Sequence, residues 1–246
     1  MKKPLIIFAI LVYILMPVAV FAQVPGINID AESFLKPESF SNSINLLLSL
    51  SSISLVPFFL VSTTSFLRTV IVLSMLRTSI GTQQSPPNIV IISLSLFLTL
   101  FVMTPTWQKV NEVAVAPYRD GKITQKEAME MGIKPFKEFM IKITRDKDLA
   151  LFLEFSNLKK VDNYENIPIF VLIPAFVVSE LKTAFQIGFL LFIPFIVIDL
   201  IVANILLSLG MFMLSPAMIS LPFKILLFVL TDGWSLIVQG LLLSFR

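Results

Sequence analysis

The sequence contains no cysteine and no histidine. This absence removes thiol nucleophiles, disulfides, imidazole bases and the usual ligands of zinc and haem. Charged residues are also scarce, at 14% of the 246 residues, whereas soluble domains average about 25%. Lys and Arg do not cluster among aromatic residues, and no nucleotide-binding motif is present, so binding to nucleic acid or nucleotides has little support. We therefore expect no cofactor and no metal, and an enzyme of this composition would depend on carboxylate or Ser/Lys chemistry.

Hydrophobic residues are abundant instead, at 56% of the chain, and they fall in long blocks. Blocks of this length are typical of membrane-spanning helices. The pattern predicts an all-α integral membrane protein of two helical hairpins around a small helical insert. The predicted segments are a cleaved signal peptide (1–22), a polar periplasmic leader (23–43), a first membrane hairpin (44–106), a periplasmic insert (107–167) and a second membrane hairpin (168–246) with a loop at 210–216.

The first 22 residues have the three parts of a signal peptide. Lys2 and Lys3 precede an apolar core at 5–16, and Ala22 supplies a small residue before the predicted cleavage site. An uncleaved first helix is the alternative. The acidic balance of residues 23–43 suits the periplasmic side, because excess Lys and Arg stay in the cytoplasm.

The first apolar block, at 44–76, is too long for one upright span. As a helix it would measure about 50 Å, against a hydrocarbon core of about 30 Å. We expect a span that ends near Thr64, followed by an extension on the cytoplasmic side that carries Arg68 and Arg77.

Proline recurs in nearly every apolar block, which predicts broken helices that need protein or water around them. The prolines concerned are Pro57, Pro105, Pro168, Pro174, Pro194, Pro216 and Pro222. In the insert, Thr124 and Glu127 have the spacing of a capping box. Apolar residues then recur at helical spacing, so we expect two or three short amphipathic helices. About sixty residues are few for a core of their own, so their apolar faces should dock on something else.

Four ionisable residues lie in or beside the apolar blocks: Glu180, Asp199, Lys224 and Asp232. A charge at bilayer depth costs about 3 kcal/mol or more, so such residues usually face a protein interior or a water-filled path. Lys224 and Asp232 are poorly placed to pair within one helix, and partners on other helices or subunits are expected. The alternative for these two is that they lie outside the hydrocarbon layer.

Met211, Phe212 and Met213 form the apolar tip of the second hairpin. Methionine side chains are flexible and conform to irregular shapes. Arranged around a narrow hole, they would form a seal that admits a polypeptide and resists ions. The alternative is a hydrophobic turn that packs on its neighbours.

Two long stretches resemble the FliP family of flagellar export-gate proteins. They are residues 174–189 (PAFVVSELKTAFQIGF) and residues 221–234 (LPFKILLFVLTDGW). The second stretch ends in the family's Asp-Gly-Trp. Shorter matches include Arg68, Gly81 and the Pro-Pro-Asn at 86–88. The resemblance covers essentially the whole mature chain.

The resemblance implies a ring of about five copies that assembles with FliQ and FliR subunits. Such a ring is the entry portal of type III secretion, which passes unfolded flagellar subunits across the bacterial inner membrane at the basal body. It further implies contacts with other export-apparatus membrane proteins and with lipid. Much of the assembly would form a helical cone on the periplasmic side, so the helices need not span the bilayer as the apolar blocks alone predict.

The family's functional residues map onto this sequence at three places. Met211, Phe212 and Met213 match the loop that lines the closed pore, although Phe212 departs from the methionine expected there. Glu180 matches an acidic residue at contacts between subunits, and Phe139 and Phe152 match aromatic residues of the insert with a similar role. Virulence-type secretion systems contain a close relative, but the leader at 1–43 favours the flagellar branch.

Two other functions remain open from the residues alone. An ion-coupled secondary transporter would use Glu180 and Asp199 as proton-carrying carboxylates. An intramembrane protease would need Asp199 and Asp232 as a catalytic pair, although no motif around them supports this.

Overall fold

Helices make up most of the computed structural model, which describes residues 51, 54–55, 57–156 and 167–245. No strand occurs among these residues, and the predicted all-α class is confirmed. The helices are α1 (Pro57–Thr63), α2 (Phe66–Ile80), α3 (Asn88–Val110), α4 (Ala116–Arg119), α5 (Gln125–Ile143), α6 (Asp146–Phe155), α7 (Ile169–Ser208), α8 (Pro216–Leu230) and α9 (Gly233–Leu243). The predicted signal peptide, the leader and residues 44–50 of the first hairpin lie outside the described residues.

The chain bends sharply between α1 and α2, where the two helix axes differ by 81°. Thr64 and Ser65 form the bend, and the Thr64 hydroxyl accepts a hydrogen bond from the Phe66 N–H at 3.3 Å, a local side-chain bond that competes with continuous helix. The prediction that the first apolar block is not one straight helix is therefore confirmed.

Helix α3 continues past the predicted closing point at Thr104 and Pro105. It begins at Asn88, directly after Pro86 and Pro87, as expected, and leads through a π-helical turn (Asn111–Val115) into α4. The whole helical stretch, Asn88–Arg119, contains 32 residues. The prediction that Pro105 ends the helix is wrong, because a proline removes only one hydrogen bond from a helix whose neighbouring turns stay intact.

Helix α7 also runs unbroken through its prolines. It contains 40 residues, which corresponds to about 60 Å, and Pro174 and Pro194 both lie inside it. Among the described residues, the apolar helix pairs that bend sharply lie elsewhere: at Thr64 and Ser65, and between α8 and α9, where the bend is 64°. Broken helices are therefore present, but the prolines do not cause them. Packing of α7 along α2 and α8 outweighs the hydrogen bonds that its prolines omit.

Two helices are long and apolar enough to cross a membrane: the Asn88–Arg119 stretch and α7. The bent pairs α1–α2 and α8–α9 raise the number to four if each pair is one span. These candidate spans, found within the described residues, agree with the predicted membrane class.

The insert helices begin as the sequence predicts. The Thr124 side chain accepts a hydrogen bond from the Glu127 N–H, and the Glu127 carboxylate accepts one from the Thr124 N–H at 2.7 Å. This confirms the capping box at the start of α5. Two hydrogen bonds lower the pKa of Glu127, because both favour the ionised carboxylate. The larger effect comes from the Thr124 backbone N–H and the smaller one from the Thr124 hydroxyl.

Two hydrophobic clusters are joined by α7. One cluster gathers side chains of α2, α3, α7, α8 and α9: Val72, Leu73, Leu76, Ile80, Ile91, Ala184, Phe195, Phe228 and Leu241. The other gathers side chains around α5, α6 and the first turns of α7: Met140, Leu149, Ile167, Val171, Leu172, Ala175 and Phe176. The apolar faces of the insert thus dock on α7, as predicted, and the polar stretch of α7 lies between the two clusters.

Helices α2 and α7 pack closely at Gly188, where the Met75 side chain fills the space that a side chain at Gly188 would occupy. A β-carbon at Gly188 would overlap the Sδ and Cε atoms of Met75 and lie 3.1 Å from its Cβ. Overpacking a core costs about 1–3 kcal/mol, and the helix preference of alanine returns up to about 1 kcal/mol, so we expect Gly188→Ala to lower the free energy of unfolding by about 0–2 kcal/mol. The measurement is unfolding of the purified protein in mixed detergent micelles, followed by tryptophan fluorescence.

Gly240 provides the matched control, because a β-carbon there would meet nothing within 4 Å. Gly240→Ala in α9 should stabilise the protein by up to about 1 kcal/mol, since alanine favours helix. Met75→Ala should restore part of the stability that Gly188→Ala removes. Equal effects of the two glycine substitutions would contradict the close approach.

Candidate functional site

The polar stretch in the middle of α7 holds three parts of the molecule together. Its residues Ser179, Glu180, Lys182, Thr183 and Gln186 each contact a partner on another element. Glu180 contacts α2, and Lys182 contacts the first turn of α6. Ser179, Thr183 and Gln186 contact Arg145, in the segment that joins α5 to α6. A polar stretch in an otherwise apolar helix is therefore explained by the partners around it.

Glu180 forms a buried ion pair with Arg68 of α2. The Arg68 Nε lies 2.9 Å from Glu180 Oε2, and the second terminal nitrogen contacts Oε1, so the guanidinium binds both carboxylate oxygens. The Glu180 side chain is 0% exposed and the Arg68 side chain is 3% exposed. Planar, two-point pairing of this kind is the strongest geometry that arginine offers a carboxylate.

Arg68 also binds the end of the described chain. Its remaining terminal nitrogen donates to the Ser244 carbonyl at 2.8 Å and to the Ser244 hydroxyl at 3.0 Å. The guanidinium carbon lies 4.1 Å from the centre of the Phe245 ring, within cation–π distance. Arg68 does follow the bend near Thr64, as expected, but its guanidinium lies in the protein interior, where it neutralises Glu180. The cytoplasmic side for this extension stays a prediction.

The insert is fastened to α7 by a second set of polar contacts. The Arg145 N–H donates to the Ser179 hydroxyl at 3.0 Å, and the Arg145 guanidinium donates to Thr183 at 3.0 Å and to Gln186. Next to these bonds, the half-exposed Lys182 pairs with the buried Asp148 in the first turn of α6. An acidic residue at that position also interacts favourably with the helix dipole.

Lys224 and Asp199 pair between α8 and α7, with the Lys224 Nζ 2.6 Å from the Asp199 Oδ2. Ser220, one turn before Lys224, donates to the other oxygen of Asp199 at 2.5 Å. The Lys224 side chain is 7% exposed and that of Asp199 is 37% exposed. The prediction that Lys224 finds its partner on another helix is confirmed.

Asp232 differs from the prediction of a buried ionisable residue. It lies exposed in the turn between α8 and α9, with φ 50° and ψ 51°. Asparagine and aspartate tolerate this left-handed conformation better than other non-glycine residues. The following Gly233 allows close approach, because a β-carbon there would overlap the Phe228 ring, and Trp234 packs edge-on against that ring at 5.4 Å.

Phe139 and Phe152 are partly buried within the chain itself. Both pack against the cluster formed by the insert and α7, and the Phe139 ring lies 6.1 Å from the buried Phe176 ring. The remaining exposed parts of the two rings are available for a contact with a neighbouring subunit. That contact stays a prediction, as does one for Glu180, whose oxygens are both bound inside the chain.

The loop between α7 and α8 projects its apolar side chains away from the rest of the described chain. Gly210, with φ +71°, ends α7, and the Met211 N–H donates to the Leu206 carbonyl at 2.9 Å. Met211, Phe212 and Met213 are 47%, 77% and 99% exposed. Phe212 and Met213 thus pack little on the described part of their own chain.

Comparison with known proteins gives the family. The sequence model of the FliP family matches residues 49–241. The chain belongs to the FliP family. Three relatives are named flagellar biosynthetic protein FliP. That of Bacillus subtilis (strain 168) is 54% identical over 89% of this chain and 98% of its own length. That of Pectobacterium carotovorum subsp. carotovorum is 48% identical over 92% of this chain and 88% of its own length, and that of Aquifex aeolicus (strain VF5) is 48% identical over 97% of this chain and 99% of its own length.

The FliP match spans the residues that form the polar stretch, the Asp199–Lys224 pair and the loop. Arg68, Arg145 and Asp148 are partners of α7 that sequence reasoning missed. Arg68 is 112 residues from Glu180 along the chain. A partial signal existed for this pair, because Arg68 is an isolated charge in an apolar block and Glu180 is an opposite charge in the polar stretch of another such block. Arg145 gave no such signal, since it lies in a stretch rich in charges.

Proposed function

We propose that this FliP-family protein is a pore subunit of the flagellar export gate in the bacterial inner membrane. Several copies would form a helical ring with FliQ-like and FliR-like subunits at the basal body. The ring would contact other membrane proteins of the export apparatus and lipid, and would pass unfolded flagellar proteins by type III secretion. This role requires neither catalysis nor a cofactor.

The observation that carries the proposal is the exposed loop of Met211, Phe212 and Met213. Three large apolar side chains extend from the end of a hairpin, and Phe212 and Met213 bury little of their surface in their own chain. Exposed apolar groups of this kind mark a contact with something outside the chain. Copies of the loop converging in a ring would close the pore with flexible side chains.

The remaining parts of the chain would then have structural roles. The insert, held to α7 by Arg145 and Asp148, would lie on the periplasmic side and contribute the exposed parts of Phe139 and Phe152 to contacts between subunits. The ion pair of Arg68 and Glu180 would fix α2 against α7 so that neighbouring copies meet a rigid surface.

The surroundings of Glu180 count against an ion-coupled transporter. A carboxylate that carries protons must be reached by water or solute, whereas both oxygens of Glu180 are bound by an arginine and the side chain is fully buried. The names of the relatives favour the flagellar branch over a virulence-type system.

The experiment that tests the proposal is a secretion assay in a flagellated bacterium that lacks its own FliP-family protein. We expect secretion of flagellar hook and filament subunits to fall to background, and this chain to restore it when expressed there. Small-solute uptake and growth should not change. Secretion that persists without any FliP-family protein would contradict the gate, and a loss of solute uptake with normal secretion would favour the transporter.

A further inference from the structure

We propose that the loop between α7 and α8 binds a soft monovalent cation, Cu(I), through the thioethers of Met211, Met213 and Met218. Cu(I) prefers soft sulfur ligands, whereas hard cations prefer carboxylates and carbonyls. Residues 209–219 contain three methionines and no Asp, Glu, His or Cys. The loop therefore offers ligands to a soft cation and no charged side chain to a hard one.

The three thioethers are accessible in this chain. Met211 and Met213 protrude from the loop, as described above, and Met218 in the first turn of α8 is 75% exposed. The Met218 N–H donates to the Ser215 carbonyl at 3.2 Å, which places Met218 in the first turn of α8, directly after the loop. One intervening residue separates the first two methionines and four separate the last two, which keeps all three side chains at one end of the hairpin.

The other methionines of the described residues are unsuited to the same chemistry. Met103 and Met140 are fully buried, and Met75 packs against Gly188. Met129 and Met131 are exposed but lie two residues apart on α5, where side chains do not face each other. Because the whole sequence lacks Cys and His, bound Cu(I) has methionine as its only soft side-chain ligand.

A bound cation would link the loop to the first turn of α8 and restrict the movement of its side chains. If the loop closes a pore, as in the proposed function, Cu(I) would hold that pore closed. Binding itself does not depend on the proposed function, because the three thioethers belong to one chain.

The test uses the full chain purified in detergent and titrated anaerobically with Cu(I) kept reduced by ascorbate. Bicinchoninate competes for the metal and reports it by absorbance. We expect one Cu(I) per chain to be withheld from the competitor. The variant M211L/M213L/M218L should weaken binding at least about tenfold, since even loss of an outer-shell partner weakens metal binding 10–100-fold.

The variant M129L/M131L is the matched control, with two equally conservative changes at exposed methionines, and it should bind Cu(I) as the parent does. M213L alone, at the most exposed position, should weaken binding without disturbing the fold. X-ray absorption at the copper edge should find sulfur neighbours. Three results would overturn the site: the parent fails to withhold Cu(I) from the competitor, M129L/M131L weakens Cu(I) binding as much as the loop variant does, or the bound copper has only nitrogen and oxygen neighbours. None of these results would bear on secretion.

Discussion

Glu180→Ala should lower the free energy of unfolding by about 3–5 kcal/mol, the cost of leaving one member of a buried ion pair without its partner. The uncompensated charge is the Arg68 guanidinium, which keeps its positive charge at any pH that the protein experiences. Its hydrogen bonds to Ser244 satisfy only part of its donors. Unfolding in mixed detergent micelles, followed by tryptophan fluorescence, measures the loss.

Glu138→Ala is the matched control for this prediction. Glu138 also pairs with a cation, Lys109, at 2.8 Å, but the two side chains are 59% and 60% exposed. An exposed pair contributes about 0–1 kcal/mol, so the control should unfold almost as the parent does. Replacing both Arg68 and Glu180 by leucine should recover much of the stability, because a buried ion pair can be exchanged for apolar side chains at little cost.

The same variant separates an internal role of Glu180 from a role between subunits. If the carboxylate acts inside the chain, dispersed single chains of Glu180→Ala will already unfold more easily, and any loss of oligomer will follow from that. Single chains as stable as the parent, combined with loss of the oligomer, would contradict the internal pair and support the subunit contact that the family resemblance implies.

Deleting Met211, Phe212 and Met213 should leave the assembly intact and make it leak. Gly210 ends α7 and Ser215 precedes α8, so the hairpin can still close when three exposed residues are removed. An apolar constriction excludes ions because water withdraws from it, and its removal should raise the flux of ions or small dyes about tenfold or more. The measurement is dye release from vesicles that contain the purified complex.

Three leucines in place of Met211, Phe212 and Met213 form the control. They keep apolar bulk at the exposed positions, and these vesicles should stay nearly as tight as those with the parent. Unaltered permeability of the deletion variant, in a complex of unchanged mass, would mean that these residues do not form the seal.

Local features of the fold could be predicted from the sequence because neighbouring residues determine them. The capping box at Thr124 and Glu127 depends on a spacing of three residues, and the bend near Thr64 follows from a block longer than a membrane is thick. Lys224 could be expected to need a partner on another helix, because its only acidic neighbour within α8 and the next turn, Asp232, is poorly placed to pair with it. Each of these inferences needs geometry of one helix only.

Other features could not be predicted, because they depend on distant parts of the chain. Proline signals a broken helix locally, but Pro174 and Pro194 lie in a helix that packing along α2 and α8 keeps continuous. The choice of Arg68 as the partner of Glu180 is a tertiary contact across 112 residues, and neither residue alone specifies it. Asp232 looked like a buried charge because apolar residues flank it, whereas it occupies an exposed turn between two helices.

The native mass of the complex, purified after co-expression with FliQ-like and FliR-like subunits, tests the export-gate account most directly. The account predicts one discrete assembly that contains several copies of this chain together with both partners. A monomer or dimer that leaves those partners unbound would contradict it. An ion-coupled transporter would then be the better explanation, with the partly exposed Asp199 as its proton-carrying carboxylate.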